Sequence, residues 1–288
     1  MNNILAVITQ WEDAPAVLNR AESLAGKFNT SVEVLRPLHA PLGSLSHYFG
    51  PNDILDVRKK VLAEERNRLD ELCGERRWPL HLEWCERVHT TIVERAHAYS
   101  AGLIVMMASH HSVLSTLAHT PDDWHLFRES PCPVLTLVRV GQPITKVIAA
   151  VDVLDHSEDH QQLSARVIDQ ARAMAQAEDV PFTVLSVVPD PALLYAGLVN
   201  GPVGGDILIE IKQRAGSDLD DMLKRLGVSA DRVEVKAGRV EDVVNRESAD
   251  GGLLVIGCAA NRGVKGLMIG NTAERILHNM QSDMLVVV

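Results

Sequence analysis

Between Gly257 and Glu274 runs a stretch of residues suited to holding an anion. Gly270 carries no Cβ, so the backbone there can come close to a ligand. Asn271 and Thr272 follow, and Glu274 stands three positions after Asn271, the arrangement of a capped helix start. Backbone N–H groups at such a start, with the positive end of the helix dipole, favour negative charge such as phosphate. Upstream, one apolar run ends on Asp152 and another ends on Gly257. In open α/β sheets ligands sit beyond the carboxyl ends of the strands, where strand order reverses. The chemistry these residues offer is therefore binding of a small anionic molecule, with a carboxylate on one side and backbone donors on the other.

Other chemistries find less support. The sequence holds no nucleophile elbow, no phosphate-binding GxxxxGK[ST] loop and no metalloprotease helix. Carboxylate pairs such as Glu64-Glu65 and Asp220-Asp221 fall on the exterior of expected helices and read as solvated. Histidines gather at His110, His111, His119 and His125, but their spacing matches no zinc pattern, and no metal is expected. The four cysteines, Cys73, Cys85, Cys132 and Cys258, include no CxxC pair and read as small buried hydrophobes.

The elements that must position these residues occur twice. Aligning each residue with the one 150 positions later lays 102–138 on 252–288 without a gap, so Gly102-Leu103-Ile104-Val105-Met106 falls on Gly252-Leu253-Leu254-Val255-Ile256. Further upstream Ile4-Leu5-Ala6-Val7 matches Val147-Ile148-Ala149-Ala150. Each copy reads as five strands alternating with helices. The continuous apolar runs suit parallel strands covered on both faces, and Val17, Ala21, Leu24 and Phe28 mirror Leu163, Val167, Ala171 and Met174 at helical spacing. Such alternation implies right-handed crossovers and a doubly wound parallel sheet in each copy. The expected domains are 1–142 and 143–288, joined by a short junction with Gly141 and Pro143. Each copy ends in an apolar strand, 134–138 or 284–288, and pairing these edges would form an internal pseudo-dimer. Two long apolar connections, 38–53 and 189–205, read as lids or covers over the sheet ends.

At 288 residues the chain is long enough for two full cores, and aromatic residues, at 4%, leave those cores aliphatic. A net charge of −10 argues against a nucleic-acid surface, which needs clustered lysine and arginine. The opening residues lack the basic start of a signal peptide, and no apolar stretch approaches the ~18–20 residues of a membrane span. The expectation is a soluble cytoplasmic protein, either a monomeric pseudo-dimer or a homodimer.

Taken together, the sequence resembles the universal stress protein family over both halves, in particular its tandem E-type branch. Nucleotide-binding members carry a glycine, two residues, a glycine, nine residues, then glycine and a small hydroxyl residue. Here the same frame holds Gly257, two residues, Ala260, nine residues, Gly270 and Asn271. Gly270-Asn271-Thr272-Ala273-Glu274 and Thr120-Pro121-Asp122-Asp123-Trp124-His125 match the E-type branch. The resemblance implies a Rossmann-like, adenine nucleotide alpha-hydrolase-like fold. It also implies ATP or another adenine nucleotide as ligand. Asp152 would then contact the adenine or ribose side with Val187 nearby, and Gly257, Gly270, Asn271 and Thr272 would line the phosphates. Ala260 departs from the motif by carrying a Cβ, and Asn271 by its bulkier head. In the first copy Thr9, Met107, His110 and Thr120 stand at the positions of Asp152, Gly257, Ala260 and Gly270, so its site reads as degenerate. The function implied is a non-catalytic stress-response protein, with nucleotide sensing through the second copy. The alternatives are a carrier or sensor of an apolar or other small ligand, or a slow nucleotide hydrolase of at most weak ATPase activity.

Overall fold

The computed structural model of the chain describes residues 2–39, 50–108, 122–138, 141–191, 204–258, 275–276 and 281–288. The chain gathers into two compact units, Met1–Leu135 and Thr136–Val288. In the first, the elements run β1 (Ile4–Val7), α1 (Ala14–Phe28), β2 (Val32–Leu38), α2 (Pro51–Cys73), β3 (Leu80–Trp84), α3 (Val88–Tyr99), β4 (Leu103–Met107), α4 (Asp122–Glu129) and β5 (Val134–Leu137), whose last two residues lie past the boundary. The second runs β6 (Lys146–Val151), α5 (Glu158–Glu178), β7 (Phe182–Val188), α6 (Gly204–Leu226), β8 (Arg232–Ala237), α7 (Val240–Ser248), β9 (Gly252–Gly257) and β10 (Met284–Val287).

Strand order is β3-β2-β1-β4-β5 in the first unit and β8-β7-β6-β9-β10 in the second, the same reversal beside the opening strand. The central pairs are parallel, and their registers repeat. Ile4 faces Val32 on one side and Leu103 on the other, while Val147 faces Phe182 and Leu253. Val34 pairs with Leu80 just as Val184 pairs with Val233. The duplication read from the apolar pattern therefore holds residue by residue through four strands. It extends to the turns, because left-handed backbone occurs at Asn29 and Asp179 after the first helix of each unit, and at Ser100 and Asp250 before the fourth strand. Asn and Asp tolerate that region better than most residues, since their short polar side chains bond locally.

Burial explains the sequence patterns. β1, β2, β4 and β10 are buried at every position, as strands covered on both faces must be. α1 turns Ala14, Val17, Leu18, Ala21 and Leu24 inward, and α5 turns in Leu163, Val167, Ile168, Ala171 and Met174. Each fully buried Val or Leu contributes about 1.5–3 kcal/mol of transfer free energy, which makes these stripes the main source of helix-on-sheet adhesion. At the outer end of the second unit, β8 is partly exposed and carries Glu234 and Lys236, charges that discourage further strand addition. Among the described residues, no helix is long and apolar enough to cross a membrane.

Candidate functional site

The carboxyl ends of β6, β7 and β9 open onto a cavity of about 240 Å³ in the second unit. Asp152, Val187 and Gly257 all line it. They come from three strands spread over a hundred positions of sequence, and the parallel register brings them together. The first turns of α5 form the opposite wall through His160, Leu163 and Ser164. Ala260, Gly270, Asn271 and Thr272 lie outside the described residues, as do His110, His111 and His119 and most of both apolar connections.

Local hydrogen bonds hold the polar rim. The loop after β6 bends because Asp152 Oδ1 accepts the Leu154 N–H at 2.9 Å and Asp155 Oδ1 accepts the Ser157 N–H at 2.9 Å. The bond from the Ser157 backbone, reinforced by its hydroxyl and by His160, holds the Asp155 carboxyl below its usual range. His160 Nδ1 sits 3.1 Å from Asp155 Oδ2 and 3.2 Å from Ser157 Oγ, so its ring is anchored to the start of α5. Ser157 precedes that helix, with Glu158 and Asp159 in its first turn.

Gly257 has a steric role that its place in a glycine motif does not reveal. A Cβ built there would stand 2.6 Å from Leu163 Cγ and 2.7 Å from Leu163 Cδ2. No real side chain accepts that separation, so the glycine is what lets α5 lie close on the end of β9. Leu163 is then both a core residue and part of the cavity wall. Its selection as one of the helix stripe residues gave no hint of the second part.

In the first unit the equivalent strand ends are occupied by the protein's own side chains. Arg36, nearly buried in β2, donates from Nη1 to the carbonyls of Ile8 (3.0 Å) and Thr9 (2.6 Å) and from Nε to Glu65 Oε2 (2.9 Å). Trp11 donates from Nε1 to Glu65 Oε1 at 3.1 Å. The Arg36 and Arg68 guanidiniums lie 4.8 and 4.3 Å from the Trp11 ring, within cation–π range. Glu65, expected as a solvated helix-surface carboxylate, is instead the half-buried shared acceptor of this cluster, turned toward Arg36 and Trp11. Asp220 and Asp221 do lie on the exposed face of α6. Met107, at the position of Gly257, is 2% exposed and fills its site.

Two further features stand apart from ligand chemistry. Glu33 on β2 is 3% exposed and pairs bidentately with Arg95 of α3, at 2.5 and 2.6 Å. The hydrogen bond to Glu33 pushes the Arg95 guanidinium further above its ordinary value. All four cysteines are buried and none is in a disulfide, and burial pushes the Cys132 thiol up to about 11. Burial raises the Cys73 thiol as well, which leaves these two as quiet thiols near neutral pH.

A doubled, doubly wound parallel α/β fold with a cavity at the strand-order reversal of its second half defines a tandem protein of the doubly wound α/β class. The profile of the universal stress protein family matches residues 1–139 and 144–288, and the chain belongs to that family. It is similar to universal stress protein E of Escherichia coli K12, 21% identical over 99% of this chain and 93% of the relative. It is likewise similar to the universal stress protein E homolog of Haemophilus influenzae, 22% identical over 98% of this chain and 96% of the relative. Among solved structures, a protein of unknown function from Pseudomonas aeruginosa PAO1 matches with a TM-score of 0.68 and 26% identity, covering 99% of this chain and 92% of that one.

Proposed function

We propose that the chain is a non-catalytic stress-response protein that senses an adenine nucleotide, ATP or ADP, through the cavity of its second unit. The observation that carries this reading is the convergence of Asp152, Val187 and Gly257 on one cavity at the carboxyl ends of the strands. In this reading the Asp152 carboxylate accepts from the ribose or adenine, and Val187 and Leu163 pack against the base. A volume of about 240 Å³ suits the nucleoside part of the ligand, being somewhat below the ~300–1,000 Å³ of pockets that enclose whole drug-sized ligands. By the family resemblance, the phosphates fall to Gly257, Gly270, Asn271 and Thr272, with Ala260 in the same stretch.

In this reading the protein binds its ligand without turning it over. His160 Nδ1 is held between Asp155 and the Ser157 hydroxyl at the start of α5, which fixes its ring as part of the wall. The first unit, with Arg36 tied to the Thr9 carbonyl and Met107 in place of Gly257, serves as scaffold and takes no nucleotide.

The largely aliphatic wall, with Leu163, Val167, Leu185, Val187 and Ile256, also favours a second reading, a carrier of a small apolar ligand. Calorimetry of the full chain with ATP, ADP and adenosine separates the two. Saturable nucleotide heat that disappears in Asp152→Ala supports the sensor. Absence of heat at millimolar nucleotide, with an apolar compound found on the purified protein by native mass spectrometry, replaces it with the carrier.

A further inference from the structure

A second site, independent of the nucleotide reading, lies in the first unit where α3 packs on α4. His89 sits in the first turn of α3, and His125 and Glu129 share one face of α4 at helical i, i+4 spacing. One donor atom from each residue, two imidazole nitrogens and a carboxylate oxygen, falls within 4.8 Å of the others. His125 Nδ1 stands 4.0 Å from Glu129 Oε1. The two imidazole rings stack, with centroids 4.7 Å apart and planes inclined by 21°.

We propose that His89, His125 and Glu129 form a binding site for a zinc-class divalent cation. Several physical points converge on it. Two histidines and one carboxylate make up a donor set that zinc uses with a fourth position left to water or a further ligand. Zinc–ligand bonds of about 2.0–2.2 Å in a tetrahedron put neighbouring donors roughly 3.3 Å apart. The present separations need each donor to move by about 1 Å or less, and the two rings to turn out of their stack so that their in-plane lone pairs converge, both by imidazole and carboxylate torsions. His89 is 8% exposed, which shields the ion on one side. His125 and Glu129 keep about a third of their side-chain surface open, which leaves an entry path. The spacing of the sequence histidines gave no such expectation, because His89 was not among them and only the packing of α3 on α4 brings it to His125.

The test uses the full chain stripped with a chelator and titrated with Zn²⁺, read by calorimetry and by thermal melting. One zinc per chain and a raised melting temperature are expected. Glu129→Gln, a change at an exposed carboxylate that leaves folding intact, should weaken binding about tenfold or more, since even losing a group that only hydrogen-bonds to a metal ligand costs about 10–100-fold. His125→Asn should abolish the zinc-dependent rise in melting temperature. Co²⁺ in place of Zn²⁺ should give a visible d–d spectrum without sulfur-to-metal charge transfer, which separates this site from the cysteines. His81→Asn removes one donor of a surface His–Glu pair, at 3.2 Å, and should bind as the parent does. Parent-like affinity in both Glu129→Gln and His125→Asn overturns the proposal, as does a parent that takes up no zinc.

Discussion

Substituting Gly257 by alanine tests the geometry of the cavity most directly. The new Cβ would lie 2.6 Å from Leu163 Cγ, where ordinary van der Waals contact begins at 3.4 Å. Something must move, and the atom met is a side chain with open space on its far side, because Leu163 lines the cavity. The leucine therefore turns inward. Overpacking costs about 1–3 kcal/mol in closed cores; with the cavity available, the lower end, about 1 kcal/mol, is expected. That corresponds to a fall of about 2–4 °C in the melting temperature of a domain of this size. Ligand binding should suffer more than stability, since the displaced leucine occupies the space the ligand needs. Leu163→Ala alone should cost about 2 kcal/mol, the low end for a leucine whose site is not fully enclosed. In the double variant the added methyl sits in the space the leucine vacated. The two changes should then fall short of additivity by about 1 kcal/mol, and binding should return. Gly252→Ala is the internal comparison. There the Cβ meets the Ser248 carbonyl oxygen at 2.7 Å, a backbone atom with no torsion of its own to yield. A larger loss, about 3 kcal/mol, is expected without rescue by Leu163→Ala. Far-UV circular dichroism melts of the full chain read all four variants. Additive losses in the Gly257/Leu163 cycle, or an unchanged melt for Gly257→Ala, would refute the reasoning.

Arg95→Ala should destabilise the first unit by about 3 kcal/mol, because it strands the Glu33 carboxylate in the β2 layer without its bidentate partner. The figure is taken at the low end since a quarter of the Arg95 side chain is exposed. Urea unfolding followed by tryptophan emission reads it, as all four tryptophans lie in the first half of the sequence. Glu33→Gln in the Arg95→Ala background should recover part of the loss, and no recovery would mean the cost lies in lost packing. The Asp155 carboxyl should titrate below the ~3.9 of a free aspartate. Its folded value is depressed, so its support for the start of α5 is in full force above the unfolded value and is lost as pH falls through the folded one. A carboxyl-carbon titration by NMR with its midpoint at or above the free value would contradict the hydrogen bond to Ser157.

The double fold was legible because parallel strands buried on both faces leave continuous apolar runs, and two sets of such runs can be laid over each other. The registers of Ile4 and Val147 bear this out position by position. Asp152, Val187 and Gly257 could be picked for a related reason: strand ends are visible in sequence, and a shared parallel sheet aligns its strand ends in space. What could not be read were contacts made by helices. Arg36 and Glu33 interrupt an apolar strand, a warning that partners must exist, but their partners Glu65 and Arg95 sit on helices whose rotation about their axes the apolar pattern of α2 and α3 defines weakly. The same weakness hid Leu163 as a cavity wall and His89 as the neighbour of His125.

One consequence of duplication follows from comparing equivalent positions. At Gly257 the second unit keeps a residue without a side chain, and the neighbouring helix comes down close while a cavity survives between strand ends and α5. At the same position the first unit carries Met107, fully packed, and a short step away Arg36 binds the carbonyl of Thr9, the residue equivalent to Asp152. These differences support one another. With Thr9 and not a carboxylate at the first strand end, a guanidinium from β2 satisfies the Ile8 and Thr9 carbonyls. Once that guanidinium is buried it requires an acceptor, which Glu65 supplies. A single change is therefore not expected to give the first unit the site proposed for the second. Thr9→Asp would bring a second carboxylate beside Arg36 and compete with Glu65, tightening the cluster it was meant to open.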